Sequence, residues 1–142
     1  MKISDVLRSK GDGVVTIRPD DSVAHLLAVL DDHGIGAVVV SDDGRQVGGI
    51  VSERDVVRHL HRIGADVLKG PVSAIMTSEV TTCEADDDVE ALARTMTERR
   101  IRHLPVVVDG HLLAIVSIGD VVKMRIDALQ SERDQLVGYI QQ

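Results

Sequence analysis

The sequence predicts an α+β fold with α/β-type layers: two copies of a βαββα unit related by pseudo-two-fold symmetry, followed by a C-terminal helix. Three observations predict it. The stretch Val14-Val15-Thr16-Ile17-Arg18-Pro19-Asp20-Asp21-Ser22-Val23 returns as Val80-Thr81-Thr82-Cys83-Glu84-Ala85-Asp86-Asp87-Asp88-Val89. Further on, Gly49-Ile50-Val51-Ser52-Glu53-Arg54-Asp55-Val56-Val57 returns as Ala114-Ile115-Val116-Ser117-Ile118-Gly119-Asp120-Val121-Val122. Around these segments, β-branched runs alternate with stretches whose apolar residues recur at helical spacing. Self-similarity across most of a chain implies stacked copies of one supersecondary unit, each covering the other's apolar face. Two such copies also create a cleft with approximate two-fold symmetry, and clefts are where ligands bind.

The elements follow in order. Ile3-Ser4-Asp5-Val6-Leu7 is a short apolar-patterned lead-in, matched by Val72-Ser73-Ala74-Ile75-Met76. Val14 to Ile17 reads as a short strand, and Pro19-Asp20-Asp21-Ser22 supplies side-chain acceptors for the free amides of a helix start. That helix places Val23, Leu26, Leu27 and Leu30 on one face and stops at Gly34. Ile35 to Val40 and Val47 to Val51 form a hairpin across Ser41-Asp42-Asp43-Gly44. A second helix then runs from about Glu53 to Arg62. The second copy has Val89, Leu92, Ala93 and Met96 on its first helix, a hairpin turning at Asp109-Gly110, and a helix after Ser117. From Ile126 onward, Leu129, Leu136 and Ile140 recur at roughly heptad intervals, interrupted by Arg133. The tail is therefore an amphipathic helix that either packs back on its own domain or forms a dimer contact. The expected divisions are residues 1–68, 69–125 and 126–142.

Composition limits the function classes. A chain of 142 residues, 44% hydrophobic and 27% charged, suits one compact domain of two halves rather than a disordered segment. Tyr139 is the sole aromatic residue, so the core is aliphatic, and the shortage weakens any reading based on base stacking over Phe, Tyr or Trp. A formal net charge of -7, from 16 basic and 23 acidic side chains, opposes binding to a phosphate backbone, so nucleic acid is not an expected partner. One cysteine, Cys83, excludes an internal disulfide and fits a reducing compartment. With no apolar run of spanning length and no signal pattern, the expected location is cytoplasmic, without a membrane partner.

The chemistry concentrates at two equivalent places. Ser52-Glu53-Arg54-Asp55 and Ser117-Ile118-Gly119-Asp120 each follow a β-branched strand and open a helix. Serine at the N-cap with an acid three residues on is a capping box. The same geometry offers a phosphate seat of free amides plus a hydroxyl, with a carboxylate able to accept hydrogen bonds from a ribose diol. Both readings stand for each segment. Arg99, Arg100, Arg102 and His103 occupy the positions held in the first copy by His33, Gly34, Gly36 and Ala37. Guanidinium groups present planar, permanently charged donors to a phosphoanion. The alternative is a solvated basic patch balancing nearby acids. Phosphate contact is favoured for Arg102 and His103, and surface roles for Arg99 and Arg100.

The double unit, the Ile75-Met76-Thr77 lead-in, Ile101-Arg102-His103-Leu104-Pro105-Val106 and the paired Gly/Ala-Ile-Val-Ser-x-x-Asp segments together resemble a tandem cystathionine β-synthase (CBS) domain pair. The resemblance covers about residues 2–125. It implies a sensor module, often called a Bateman module, that binds AMP, ADP or ATP between the repeats. Less common ligands of the family are NAD(H) and S-adenosylmethionine. Carried over by position, it implies that Asp55 and Asp120 each hold a ribose, that Ser52 and Ser117 each meet a phosphate, and that Thr16 and Thr82 border adenine. Arg54 would contact phosphate, reaching toward the pocket that contains Asp120, while its counterpart Gly119 could not. One pocket is then richer in positive charge, and the other, lined by Gly36 and Ala37, is roomier or empty. The resemblance further implies energy sensing, a homodimer and an unidentified protein effector.

Other residues carry less. His59 and His61 point in different directions on a helix, and His25, His33 and His111 have no companions at metal-ligand spacing. Cys83 reads as a small buried hydrophobe rather than a nucleophile. Asp20-Asp21 and Asp86-Asp87-Asp88 precede apolar helices and read as helix-start residues. No activated nucleophile, metal-held water or acid-base pair is evident, so the expectation is a non-enzymatic module without a catalytic cofactor. The rivals are a dinucleotide sensor, a ligand-free dimerisation adaptor and, distantly, a nucleotide hydrolase using His103.

Overall fold

The computed structural model describes residues 1–11 and 13–141. Gln142, the last residue of the expected tail, lies outside them. In chain order the structure contains α1 (Ile3–Lys10), β1 (Thr16–Ile17), α2 (Val23–His33), β2 (Ala37–Val40), β3 (Gly49–Ser52) and α3 (Glu53–Ile63). Two short 3-10 turns, Ala65–Lys69 and Val72–Ala74, lead into α4 (Val89–Arg99), β4 (His103–Val108), β5 (His111–Ser117) and α5 (Ile118–Gln141). In the first half, β1 pairs parallel with β2, and β2 pairs antiparallel with β3. The expected first strand of the second half shrinks to one parallel bridge, Cys83 to Val106, beside the β4–β5 hairpin. The tail and the helix after Ser117 form a single helix, α5, because no breaker separates them.

The duplication is visible atom by atom. Ile35 N donates to Leu30 O and Ile101 N to Met96 O, each closing a helix end. Glu53 N donates to Gly36 O and Ile118 N to Arg102 O, tying each second helix to the start of its hairpin. Side-chain oxygens of Ser22 and Asp88 accept from His25 N and Ala91 N at 3.0 Å, capping α2 and α4 as their sequence positions require.

The two halves exchange their lead-ins. Ile3 and Val6 of α1 are buried with Cys83, Val89, Leu92, Met96, Leu104, Val106 and Val116 of the second half. Val72 and Ile75 are buried with Ile17, Val23, Leu26, Val38, Val40 and Val51 of the first. The backbone repeats the exchange, since Ile3 N donates to Asp87 O at 2.9 Å and Val72 N to Asp21 O at 2.8 Å. Each such fully buried aliphatic side chain is worth about 1.5–3 kcal/mol relative to exposure. The exchange therefore welds the halves into one body and aligns their helix starts.

One backbone conformation stands out. Gly34 ends α2 in the left-handed region at φ 61°, ψ 39°, where lack of a Cβ makes that conformation cheap. Its counterpart ends α4 in the same conformation at φ 57°, ψ 39°, but is Arg100. A non-glycine residue pays about 1–2 kcal/mol there. Arg100→Gly is accordingly expected to raise unfolding stability by about 1 kcal/mol in urea titrations; an equal or greater loss would show that the arginine side chain supports the fold.

Candidate functional site

The starts of β2 and β4 lie next to the helix N-termini that follow each hairpin. Ala37 pairs with Ser52 and His103 with Ser117, so the first residue of each hairpin faces the serine that opens α3 or α5. At α3, Asp55 Oδ2 accepts from Ser52 N at 2.9 Å and from Ser52 Oγ at 3.1 Å, while Asp55 N donates to Ser52 Oγ at 3.3 Å. At α5, Asp120 Oδ2 accepts from Ser117 N at 2.9 Å and Asp120 N donates to Ser117 Oγ at 3.1 Å. Both segments are thus capping boxes, and each box holds a carboxylate at a fixed place beside free helix amides.

A cavity of about 830 Å³ opens over the α3 box, a volume within the range of small-molecule sites. From the first half it is lined by Gly36, Ala37, Ile50 and Ser52 through Asp55, with Val57 and Arg58. From the second half come Thr77, Glu79 through Thr81, and Arg99 through His103. Five arginines thus meet three carboxylates, Glu53, Asp55 and Glu79, giving the cavity a positive balance in a chain of net charge -7. Beside Gly36 the wall is tight: a methyl group there would lie 3.3 Å from Glu53 Oε1 and 3.9 Å from His103 Cε1.

The residues singled out by sequence divide between this cavity and the rest of the molecule. Ser52, Arg54, Asp55, Arg102 and His103 are brought together in it. Arg54 lines the cavity of Asp55, its own repeat's acid, instead of reaching the surroundings of Asp120. Ser117 and Asp120 lie outside the lining, as do Thr16, half-buried in β1, and Thr82, which is exposed. Thr81 faces the cavity in place of Thr82; since alternate residues of an extended segment point opposite ways, Cys83's burial puts Thr81, not Thr82, on its side. The expected separation of charge from the Gly36–Ala37 wall is also reversed, for both lie in this one cavity. The physical reason is that the two hairpin starts face one groove, with a methyl group on Gly36 reaching within 3.9 Å of His103 Cε1. Arg58, Arg99 and Arg100 join the lining as well. Helical spacing from Arg54 to Arg58 carried the signal for the first of these.

Other groups are accounted for by burial and pairing. Burial pushes the Cys83 thiol up to about 12, with Asp87 adding to the effect, so it stays protonated and inert. Among the described residues, no group of three or more His, Cys, Asp or Glu side chains converges as a metal site. No helix among them is long and apolar enough to cross a membrane. A second cavity of about 140 Å³, beside Met1 and Asp88, is too small for a nucleotide.

His103 sits where the two halves meet. Burial holds its imidazole below the ordinary value of 6.5, and the Lys10 ammonium and Arg102 act in the same direction, against Asp120 and Glu53. Just below pH 6.5 the unfolded chain therefore binds more protons than the folded one. Stability falls as the pH drops through 6.5 toward the folded value and is fully present above 6.5. In His103→Gln this loss is expected to disappear from urea midpoints measured across that interval; an unchanged slope would assign it to another group.

The CBS domain family profile matches residues 3–62 and 72–127. The mitochondrial CBS domain-containing protein CBSX3 of Arabidopsis thaliana is 37% identical over 98% of this chain and 71% of its own length. A crystal structure of a CBS-domain-containing protein from Agrobacterium tumefaciens is 44% identical, with a TM-score of 0.84 over 88% of this chain and 99% of that one. The CBS domain pair of the protein MJ0100, solved in complex with 5′-methylthioadenosine and S-adenosyl-L-methionine, is 24% identical, with a TM-score of 0.77 over 87% of this chain and 98% of its own; at that identity the likeness is one of fold. With two matched repeats, exchanged lead-ins and a capping box at each hairpin end, this chain belongs to the CBS domain family as a tandem pair.

Proposed function

We propose that the chain is a regulatory module that binds an adenosine phosphate in the cavity over α3. The observation that carries this reading is the union, in one groove, of a helix N-terminus, a fixed carboxylate and five arginines drawn from both halves. Asp55 would accept from the ribose hydroxyls. The helix amides with Ser52 would take the first phosphate. Arg54, Arg58 and the Arg99–Arg102 segment would meet the remaining phosphate charge, with Thr77, Val80, Thr81 and Ile50 bordering the base. Positive balance favours AMP, ADP or ATP over S-adenosylmethionine, whose sulfonium is cationic. The MJ0100 pair, a structural neighbour of the same fold solved with two adenosine compounds, supports the ligand class.

Because the cavity takes its walls from both halves, a bound nucleotide would cross-link them and shift the ensemble toward one arrangement, which an effector protein would read. The reading assigns no chemistry to the module. In a thermal-shift panel of AMP, ADP, ATP, NAD⁺, NADH and S-adenosylmethionine, the mononucleotides are expected to raise Tm. A ligand at 100 times its Kd adds about 2.7 kcal/mol. Asp55→Asn is expected to abolish the shift without lowering the ligand-free Tm by more than a few degrees. Melting that ignores every nucleotide would favour the adaptor reading, and phosphate release from ATP would favour the hydrolase.

The same module is read as a homodimer. Val57, Leu60 and Ile63 on α3 are 65%, 41% and 60% exposed, and Val122, Ile126 and Leu129 on α5 are 49%, 48% and 49% exposed. Large aliphatic side chains exposed along two helices match a surface that a second copy covers. Sedimentation should give twice the mass of the chain for the wild type and the chain mass for the double variant Val57→Glu, Leu60→Glu. A monomeric wild type would remove the dimer from the proposal.

A further inference from the structure

The two capping boxes are alike in sequence, yet one carboxylate is engaged by an internal cation and the other is not. Lys10 Nζ lies 2.8 Å from Asp120 Oδ2 and donates to Ile115 O at 2.6 Å. Asp55 has no ion pair among the described residues. Burial acts to raise the Asp120 carboxyl, but the hydrogen bonds from Lys10 and Ser117 outweigh it and hold the group below its ordinary value. The pair is only partly exposed, at 34% for the Lys10 side chain and 25% for Asp120.

The difference originates in chain length. Between the lead-in and the first strand, repeat 1 has six residues from Arg8 to Gly13, whereas repeat 2 has only Thr77, Ser78 and Glu79. The additional residues extend α1 by its last turn, which ends at Lys10. In repeat 2 the shorter connection runs along β3 as backbone, with Ile50 N donating to Thr77 O and Thr77 N to Ile50 O, both at 2.9 Å. Gly49 is required there, because a Cβ would lie 2.8 Å from Met76 Sδ and 2.9 Å from Thr77 O. In the other half the counterpart of Ile50, Ile115, gives its carbonyl to the Lys10 ammonium, and the counterpart of Gly49 is Ala114.

We propose that Lys10 closes the groove at Asp120, so that the chain takes one nucleotide, at Asp55, and keeps the equivalent position at Asp120 filled by its own ammonium. This inference rests on the nucleotide reading above. The ammonium sits on one carboxylate oxygen, Oδ2, and brings positive charge to the place where ribose hydroxyls would dock. A ribose hydroxyl would also bond to an ionised acceptor, but the ammonium brings a full opposite charge and is held a second time by Ile115 O, so it keeps the place. Lys10 is thereby the residue that makes two similar sites unequal.

Calorimetric titration with ADP tests the assignment on the full chain. The wild type is expected to bind one ADP per chain and Lys10→Met, which keeps the apolar stem, two. Asp55→Asn is expected to bind none, and the double variant Lys10→Met, Asp55→Asn one. Retention of a single ADP in Lys10→Met, or a tenfold weaker single site, would overturn the proposal, the latter by making Lys10 a ligand contact. If no form binds ADP, AMP or ATP, the nucleotide reading fails, and NMR titration of the Asp120 carboxyl then decides the closure itself. A midpoint that rises in Lys10→Met supports the ion pair, and an unmoved midpoint overturns it.

Discussion

The reciprocal docking of the two lead-ins is the constraint on which the rest of the structure depends. Ile3 and Val72 are fully buried, each in the core of the half to which it does not belong by sequence. Without aromatic residues the cores are assembled from Val, Leu, Ile and Met, so each lead-in contributes a large share of a modest aliphatic interior. The exchange also joins the backbones, with α1 hydrogen-bonded to the segment before α4 and the Val72 turn to the segment before α2. Relative motion of the halves would expose both cores at once. The exchange therefore fixes which elements of the two halves border the groove.

On that frame, folding and recognition use the same atoms. Each Ser-x-x-Asp box satisfies helix amides that would otherwise lack partners, and in doing so orients a carboxylate. The capping and ligand readings of these residues are therefore complementary. What separates the two boxes is their surroundings: arginines and an open cavity over Asp55, an ammonium on Asp120. Arg100 adds a second asymmetry, since it holds a left-handed conformation that glycine holds in the other half. A strained arginine at the rim of an arginine-lined cavity is consistent with stability conceded to binding.

Much of this was legible in the residues alone. The duplication, the hairpins, the helix starts at Ser22, Asp88 and Ser52, and the stop at Gly34 depend on neighbours within a few positions, where capping and turn chemistry act. The pairing of Ser52 with Asp55, and of Ser117 with Asp120, was equally local. Misplacements arose where a segment's environment comes from the other half. Thr82 is the repeat counterpart of Thr16, but Thr81 lines the cavity, because alignment of the repeats does not say which residue of the segment turns toward the other half. Arg54 lines the cavity of Asp55 rather than the surroundings of Asp120, and nothing in a linear sequence says that Gly36 and His103 border one groove.

Adjacent residues alone specify the repeated unit, its aliphatic interior and the two carboxylates fixed at helix starts, because short-range hydrogen bonding and hydrophobic periodicity act within a few positions. Tertiary structure alone decided which half completes which core, which arginines share a cavity with Asp55, and that Lys10 lies on Asp120. These are contacts between residues far apart in the chain, and their geometry depends on how two nearly identical units dock.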